Sequence, residues 1–228
     1  MRTRINNLAR SVISSMFLRH YRHLPHTVRK MYWDIATKGI DSRWRLSQHD
    51  YGVLTRVVEM YRPSRVLDIG CGTGRLFPLL QSKGISVIVG LDVSRRAIEM
   101  ARARHKGVLL VQCSLEDLSL PESSFDLILS NRVLQNLPPS LIDTIISKLC
   151  RLSPLIYINE LTESDGLDTR GSGFKHDYKR IFSRLGYEVD AYGLIRAPAS
   201  PGFQTYYVFR HRNAGGRSTV RAPELLLS

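Results

Sequence analysis

An α/β fold, with a mostly parallel sheet carrying helices on both faces, is the architecture this chain predicts, and three observations lead to it. Short β-branched and leucine-rich runs alternate with helix-like segments from Arg65 to His211, the rhythm that parallel strands with crossover helices produce. The first run passes through RVLDIGCGTGRL, a strand, a glycine turn and a helix start in twelve residues. The composition is also that of one enzyme-sized unit: 228 residues with 43% hydrophobic content suit one core with an N-terminal extension.

The elements follow in chain order. Val66, Leu67 and Ile69 make the first strand, and Gly70, Gly72 and Gly74 stand at alternate positions after Asp68. Glycine lets the chain turn sharply and leaves no Cβ between the backbone and a ligand. A dinucleotide loop runs G-x-G-x-x-G and seats a pyrophosphate at the helix start. This loop is G-x-G-x-G with an acid in front, which would repel a pyrophosphate and suit a cationic or amino-bearing ligand.

With these residues the segment resembles the first motif of the class I S-adenosylmethionine-dependent methyltransferases: hydrophobic strand, D-x-G-x-G-x-G, helix. The resemblance runs from about Arg65 to about His211. It implies a Rossmann-like, seven-stranded, mostly parallel sheet with an antiparallel last strand and S-adenosyl-L-methionine as cofactor, touched by Asp68, Gly70, Cys71, Gly72 and Gly74.

A second run, ISVIVGLD, ends in Asp92, about 20 residues beyond the glycine loop, where a ribose lies in doubly wound folds. Asp92 and Val93 are therefore assigned to the cofactor, while Asp92 or Ser94 also suits the N-cap of RRAIEMARAR. The third strand, Val108 to Cys113, leads to Ser114 and Leu115, the positions that contact adenine in the resembling family. That family usually has an acid where Ser114 stands; a serine accepts a hydrogen bond less strongly, and Glu116 or Asp117 would replace it after a small register shift. In the fourth strand Phe125, Leu127 and Leu129 alternate with Asp126, Ile128 and Ser130. Asn131 follows, where the family faces the transferred methyl group, and is therefore assigned to the cofactor site. A fifth strand at Leu155 to Leu161, a helix at Phe174 to Leu185 and a strand pair at Tyr187 to Ile195 and Thr205 to His211 complete the alternation.

Three regions result: a basic helical extension and cap over 1–62, the methyltransferase-like domain over 63–212 and a flexible tail over 213–228. The three cysteines, Cys71, Cys113 and Cys150, lie in or beside apolar segments without metal-ligand spacing, which reads as reduced thiols and no metal site. No stretch approaches the roughly 20 apolar residues a membrane span needs.

The net charge is +13, and much of it starts in the extension. No acid precedes Asp34, whereas Arg2, Arg4, Arg10, Arg19, Arg22, Arg29 and Lys30 all do. Ile5, Leu8, Val12, Ile13, Met16 and Phe17 fall at helical spacing, so residues 4–20 predict an amphipathic helix. Three readings compete: a helix on anionic lipid, a mitochondrial transit peptide, and a helix packed on its own domain. Localisation is accordingly expected to be cytoplasmic, with or without peripheral membrane contact, or mitochondrial. Tyr32, Trp33, Trp44, His49 and Tyr51 are candidates for the acceptor pocket, because N-terminal helices of the family fold over the cofactor.

Methyl transfer needs an acceptor lone pair in line with the S–CH3 bond, and positioning supplies much of the acceleration. A hydroxyl acceptor also benefits from a base. His176, on the segment after the fifth strand, is the leading candidate, His49 and Glu160 are alternates, and a reaction without a base stays open. Basic charge invites nucleic acid. However, enzymes that methylate exocyclic base nitrogens resemble one another in an N/D-P-P-aromatic tetrapeptide after the fourth strand, where this chain reads Asn131-Arg132-Val133-Leu134. The favoured acceptor is thus a hydroxyl of a small molecule, glycan or lipid-linked compound. An RNA or protein methyltransferase using the basic arm and a non-catalytic cofactor-binding scaffold are the alternatives.

Overall fold

The computed structural model describes residues 28, 31–37, 48–162, 173–196 and 203–214, with the side chains of 48–50, 196, 203 and 204 outside that description. The predicted helix over 4–20, Trp44, the His49 side chain and the tail from 215 lie outside the described residues.

A helix, α1, covers residues 31–37, and α2 runs Gln48–Tyr61. The domain proper follows as β1 Arg65–Ile69, α3 Phe77–Ser82, β2 Val87–Asp92, α4 Arg95–Arg104, β3 Leu109–Gln112, β4 Leu127–Asn131, a 3-10 turn Leu134–Asn136, α5 Pro139–Leu152, β5 Leu155–Asn159, α6 Tyr178–Arg184, β6 Tyr187–Arg196 and β7 Phe203–His211. One seven-stranded sheet has the order β3-β2-β1-β4-β5-β7-β6. Pairings from β3 to β5 are parallel, and β7 is antiparallel to both β5 and β6. This is the mostly parallel sheet that the alternation predicts, with the antiparallel last strand that the resemblance implies.

Successive strand residues point to opposite faces, and a sheet covered on both sides must be apolar on both. Leu67, Ile69, Leu91, Ile128 and Ile158 face α5 and α6 in one core. Val66, Ile88, Leu127, Leu129 and Tyr157 face α2, α3 and α4 in the other. Helix α5 buries Ile142, Ile145, Ile146, Leu149 and Leu152, a one-sided stripe at the spacing of a helix packed on a sheet.

Two local features depart from the sequence expectation or refine it. Helix α6 starts at Tyr178 rather than Phe174, because Asp177 is its N-cap, accepting from Arg180 N, and His176 pairs in extended conformation with Thr162. The β6–β7 hairpin outgrows the sheet. β5 ends at Asn159, opposite Tyr206, while Leu194–Thr205, Ile195–Gln204 and Arg196–Phe203 continue the ladder beyond it. Its other end is tied to α2: the Tyr61 hydroxyl donates to Asp190, Arg210 Nη2 donates to Asp190 Oδ2 at 3.2 Å, and the guanidinium lies 5.0 Å from the Tyr61 ring centroid.

Candidate functional site

The carboxyl ends of β1, β2, β4 and β5 share one edge, the place where ligands of open α/β sheets bind. At the end of β1 the chain enters the glycine turn. Gly70, Gly72 and Gly74 have φ of 61°, 56° and 83°, the left-handed region that costs a side-chain-bearing residue roughly 1–2 kcal/mol. A Cβ on Gly70 would lie 2.3 Å from Val133 Cγ2, and one on Gly74 would lie 2.4 Å from Phe77 Cδ2 and 2.6 Å from His105 Cδ2. At Gly72 there is nothing within 4 Å. The turn is therefore clamped at both ends and bare in the middle. Cys71 N donates to Leu91 O at 2.9 Å, and the buried Cys71 thiol is pushed well above its usual range, first by burial and then by Asp68 and Asp92.

Two carboxylates flank this turn. Asp68 is 2% exposed, and its Oδ2 has no hydrogen-bond partner. Burial pushes its pKa up to about 8; the Asp92 charge adds to the rise and Arg75 opposes it. Asp92 Oδ2 accepts from Gly72 N and its Oδ1 from Ser94 N, both at 2.8 Å, so it ties the turn to the start of α4. Its pKa is raised by burial, against these backbone bonds.

Helices α1 and α2 contact the residues that follow β2 and the glycine turn. Ser94 caps α4 by accepting from Ala97 N at 3.1 Å and donates to Asp34 Oδ1 on α1 at 2.7 Å; Thr37 Oγ1 lies 3.1 Å from Ser94 Oγ. Tyr32 is buried and packs edge-on to Trp33. The Tyr51 hydroxyl donates to Arg75 O at 2.8 Å, which joins α2 to the residue after the glycine turn. Asp34 and His105 were not legible as site residues. Asp34 reaches a partner 60 residues away, and His105 Nε2 donates to Thr73 O at 3.1 Å behind the turn.

On the β3 side, Ser114 is buried. Its hydroxyl donates to Asp117 Oδ2 at 2.6 Å and accepts from Asp117 N at 3.3 Å, so it closes a local turn and brings the Asp117 carboxylate beside it. Leu115 is in the core, and Val93 is half-buried between Asp92 and Ser94. At the end of β4, Asn131 Oδ1 lies 3.5 Å from Asn159 Nδ2. Arg132 follows with φ 62° and donates its N–H to Asn159 O at 2.9 Å.

His176 is drawn in from solvent. It is 5% exposed, lies between Phe174 and Tyr178, and its Nε2 donates to Leu137 O at 3.1 Å. Burial lowers its pKa. Glu160 is fully buried with both oxygens occupied by donors from Ser130, Val133 and Gln135. Among the described residues no cluster of His, Cys, Asp or Glu is arranged to hold a metal ion, and no helix is long and apolar enough to cross a membrane.

This sheet order and this loop define a Rossmann-like class I methyltransferase fold. Residues 66–153 match the family model described as a methyltransferase domain, so the chain carries a class I S-adenosylmethionine-dependent methyltransferase domain. It is similar to trans-aconitate 2-methyltransferase of Methylobacterium nodulans, with 38% identity over 109 residues, 46% of this chain and 40% of that protein. It is also similar to malonyl-[acyl-carrier protein] O-methyltransferase of Pseudescherichia vulneris, with 30% identity over 44% of this chain and 39% of that protein. The chain thus spans about two fifths of the length of these curated relatives. Among solved structures, magnesium protoporphyrin IX methyltransferase of Synechocystis, with S-adenosylhomocysteine bound, superposes with a TM-score of 0.66 at 16% identity, over 82% of this chain and all of that one. S-adenosylmethionine is the cofactor of such a domain, and the site fits it: a buried carboxylate oxygen without a partner suits an amino group, and a bare backbone turn admits a bulky sulfonium ligand.

Proposed function

We propose that the protein transfers the methyl group of S-adenosylmethionine to a hydroxyl of a small molecule, a glycan or a lipid-linked acceptor. The observation that carries the reading is the orphaned Oδ2 of buried Asp68 beside a turn that is open at Gly72. In this reading Asp68 takes the amino-acid end of the cofactor, the Gly70–Gly74 backbone borders its sulfur, and Asp92 accepts from the ribose hydroxyls. Ser114, Leu115 and Asp117 form the adenine side. When bound, S-adenosylmethionine supplies an electrophilic methyl on a cationic sulfur. The chain's part is to hold it, exclude water and align the acceptor.

Asn131, half-buried at the end of β4 with the buried Asn159 amide behind it, offers a neutral amide, which suits hydrogen bonding to a hydroxyl rather than an ion. The O-methyltransferase relative supports an oxygen acceptor, and the Asn131-Arg132-Val133-Leu134 sequence lacks the tetrapeptide of base-nitrogen enzymes. His176, with its Nε2 proton committed to Leu137, supports the acceptor-side turn, and alignment carries the reaction. A second reading, an RNA or protein methyltransferase, is favoured by the acid-free stretch before Asp34 and the net charge of +13.

Incubating the protein with methyl-labelled S-adenosylmethionine and fractionated lysate separates these. Label in small molecules or lipids supports the proposal, and label in RNA or protein supports the second reading. Cofactor binding with no transfer into any fraction would overturn both in favour of a scaffold.

A further inference from the structure

Glu160 lies just past the end of β5, at 0% exposure, and its hydrogen-bond partners are neutral donors. Ser130 Oγ and Val133 N donate to Oε1 at 2.6 and 2.8 Å, and Gln135 N donates to Oε2 at 3.0 Å. Leu134 N contributes as well. A buried carboxylate without a cationic partner is expensive and persists where several donors converge on it. All but one of these donors are main-chain N–H groups of the turn that follows β4.

That turn is braced from several sides. Arg132 O accepts from Asn136 Nδ2 at 2.8 Å, Gln135 Oε1 accepts from Leu161 N at 3.0 Å, and Leu137 O accepts from His176. Its far side meets the glycine loop: the Val133 methyls fill the space a Gly70 Cβ would need, at 2.3 and 3.0 Å. Glu160, Val133 and Gly70 thus form one line of contact from β5, across the end of β4, to the end of β1.

We propose that Glu160 is a positioning residue of the cofactor site: by gathering the N–H groups of residues 133–135 it presses Val133 onto Gly70 and holds the glycine turn in its binding shape. The inference rests on the reading of that turn as the cofactor site. Glutamine would offer one acceptor oxygen and turn an NH2 toward a backbone N–H, so Glu160→Gln tests the donor-gathering role at nearly unchanged volume.

The experiment is calorimetric titration of S-adenosylhomocysteine into the full-length wild type, E160Q, V133A and the double variant, with melting temperatures measured in parallel. E160Q should bind at least about tenfold more weakly, V133A about threefold, and the double variant no more weakly than E160Q within about twofold, because both act through one contact. Affinity of E160Q within twofold of wild type, or losses that multiply in the double variant, would overturn the inference; a purely structural role would lower the melting temperature and leave the dissociation constant of folded protein unmoved. If E160Q does not fold, S130A removes one donor and should weaken binding about threefold or more, and unchanged affinity there overturns it equally. Absence of binding by the wild type would strike the cofactor reading itself, and this inference with it.

Discussion

Asp68→Asn should make the ligand-free protein more stable and the liganded protein harder to form. The Asp68 carboxyl is buried and held at a pKa of about 8 against an ordinary 3.8. A group raised on folding contributes most favourably below its unfolded pKa, and that contribution is lost as pH rises through the folded one. Between pH 3.8 and about 8 the folded protein therefore loses stability steadily, by about 4 kcal/mol at pH 7 at 1.36 kcal/mol per unit. Asparagine removes this dependence but buries an amide costing about 1–3 kcal/mol if unpaired. The net gain is about 1–3 kcal/mol, or roughly 2–12 °C in melting temperature for a chain of this size. The cofactor's amino group would meanwhile lose a charge-assisted hydrogen bond worth about 1.5–3 kcal/mol, a 10- to 150-fold weakening. Thermal melts from pH 5 to 8.5, and calorimetric titration with S-adenosylhomocysteine in buffers of different ionisation enthalpy, measure both. Wild-type binding near pH 7 should release a proton, and the variant should release none. A variant that melts no higher than wild type at pH 8 and binds S-adenosylhomocysteine equally well would refute the assignment of Asp68.

Gly72→Ala meets no neighbour within 4 Å but holds φ 56°, so the fold should lose only about 1–2 kcal/mol while S-adenosylhomocysteine affinity drops more than tenfold, as calorimetry would report. Gly70→Ala adds the clash with Val133 and should cost clearly more in melting temperature than Gly72→Ala. Ser94→Ala removes both the α4 cap, worth about 1 kcal/mol, and the bond to Asp34; limited proteolysis should cut within α1 faster than in wild type, and equal rates would show that this bond does not hold α1. Because burial lowers the His176 pKa below its ordinary 6.5, the native state resists protonation there and stability falls as pH drops below about 6.5. His176→Asn should flatten that acid limb in urea melts at pH 5 and 7.

The fold was legible where a signal is local. Alternation in Phe125 to Asn131 and the acid-glycine turn after β1 each sit within one element, and the full sheet followed from the family resemblance those residues carry. What was illegible depends on contacts across the chain. Phe174 to Asp177 has the composition of a helix start, yet the Thr162 bridge holds it extended, and only the Asp177 cap begins the helix. For the same reason His176 stood out as the leading base candidate: nothing near it in sequence announces that its ring is buried and hydrogen-bonded to Leu137 O. Glu160 looked like a reserve base, because the donors that occupy it come from the end of β4 and its following turn. Ser114 is intermediate. Its partner Asp117 is three residues on, a serine–acid spacing that can be read locally, but its burial cannot.

The ladder that β6 and β7 extend past Asn159 leaves a wall standing above the sheet rim, rooted by Tyr61, Asp190 and Arg210 in the helix before β1. Because those anchors lie at the opposite end of the hairpin from the ladder pairs past Asn159, substitutions in Leu194, Ile195 or Thr205 alter the overhang without touching Asp68, Asp92 or the glycine turn.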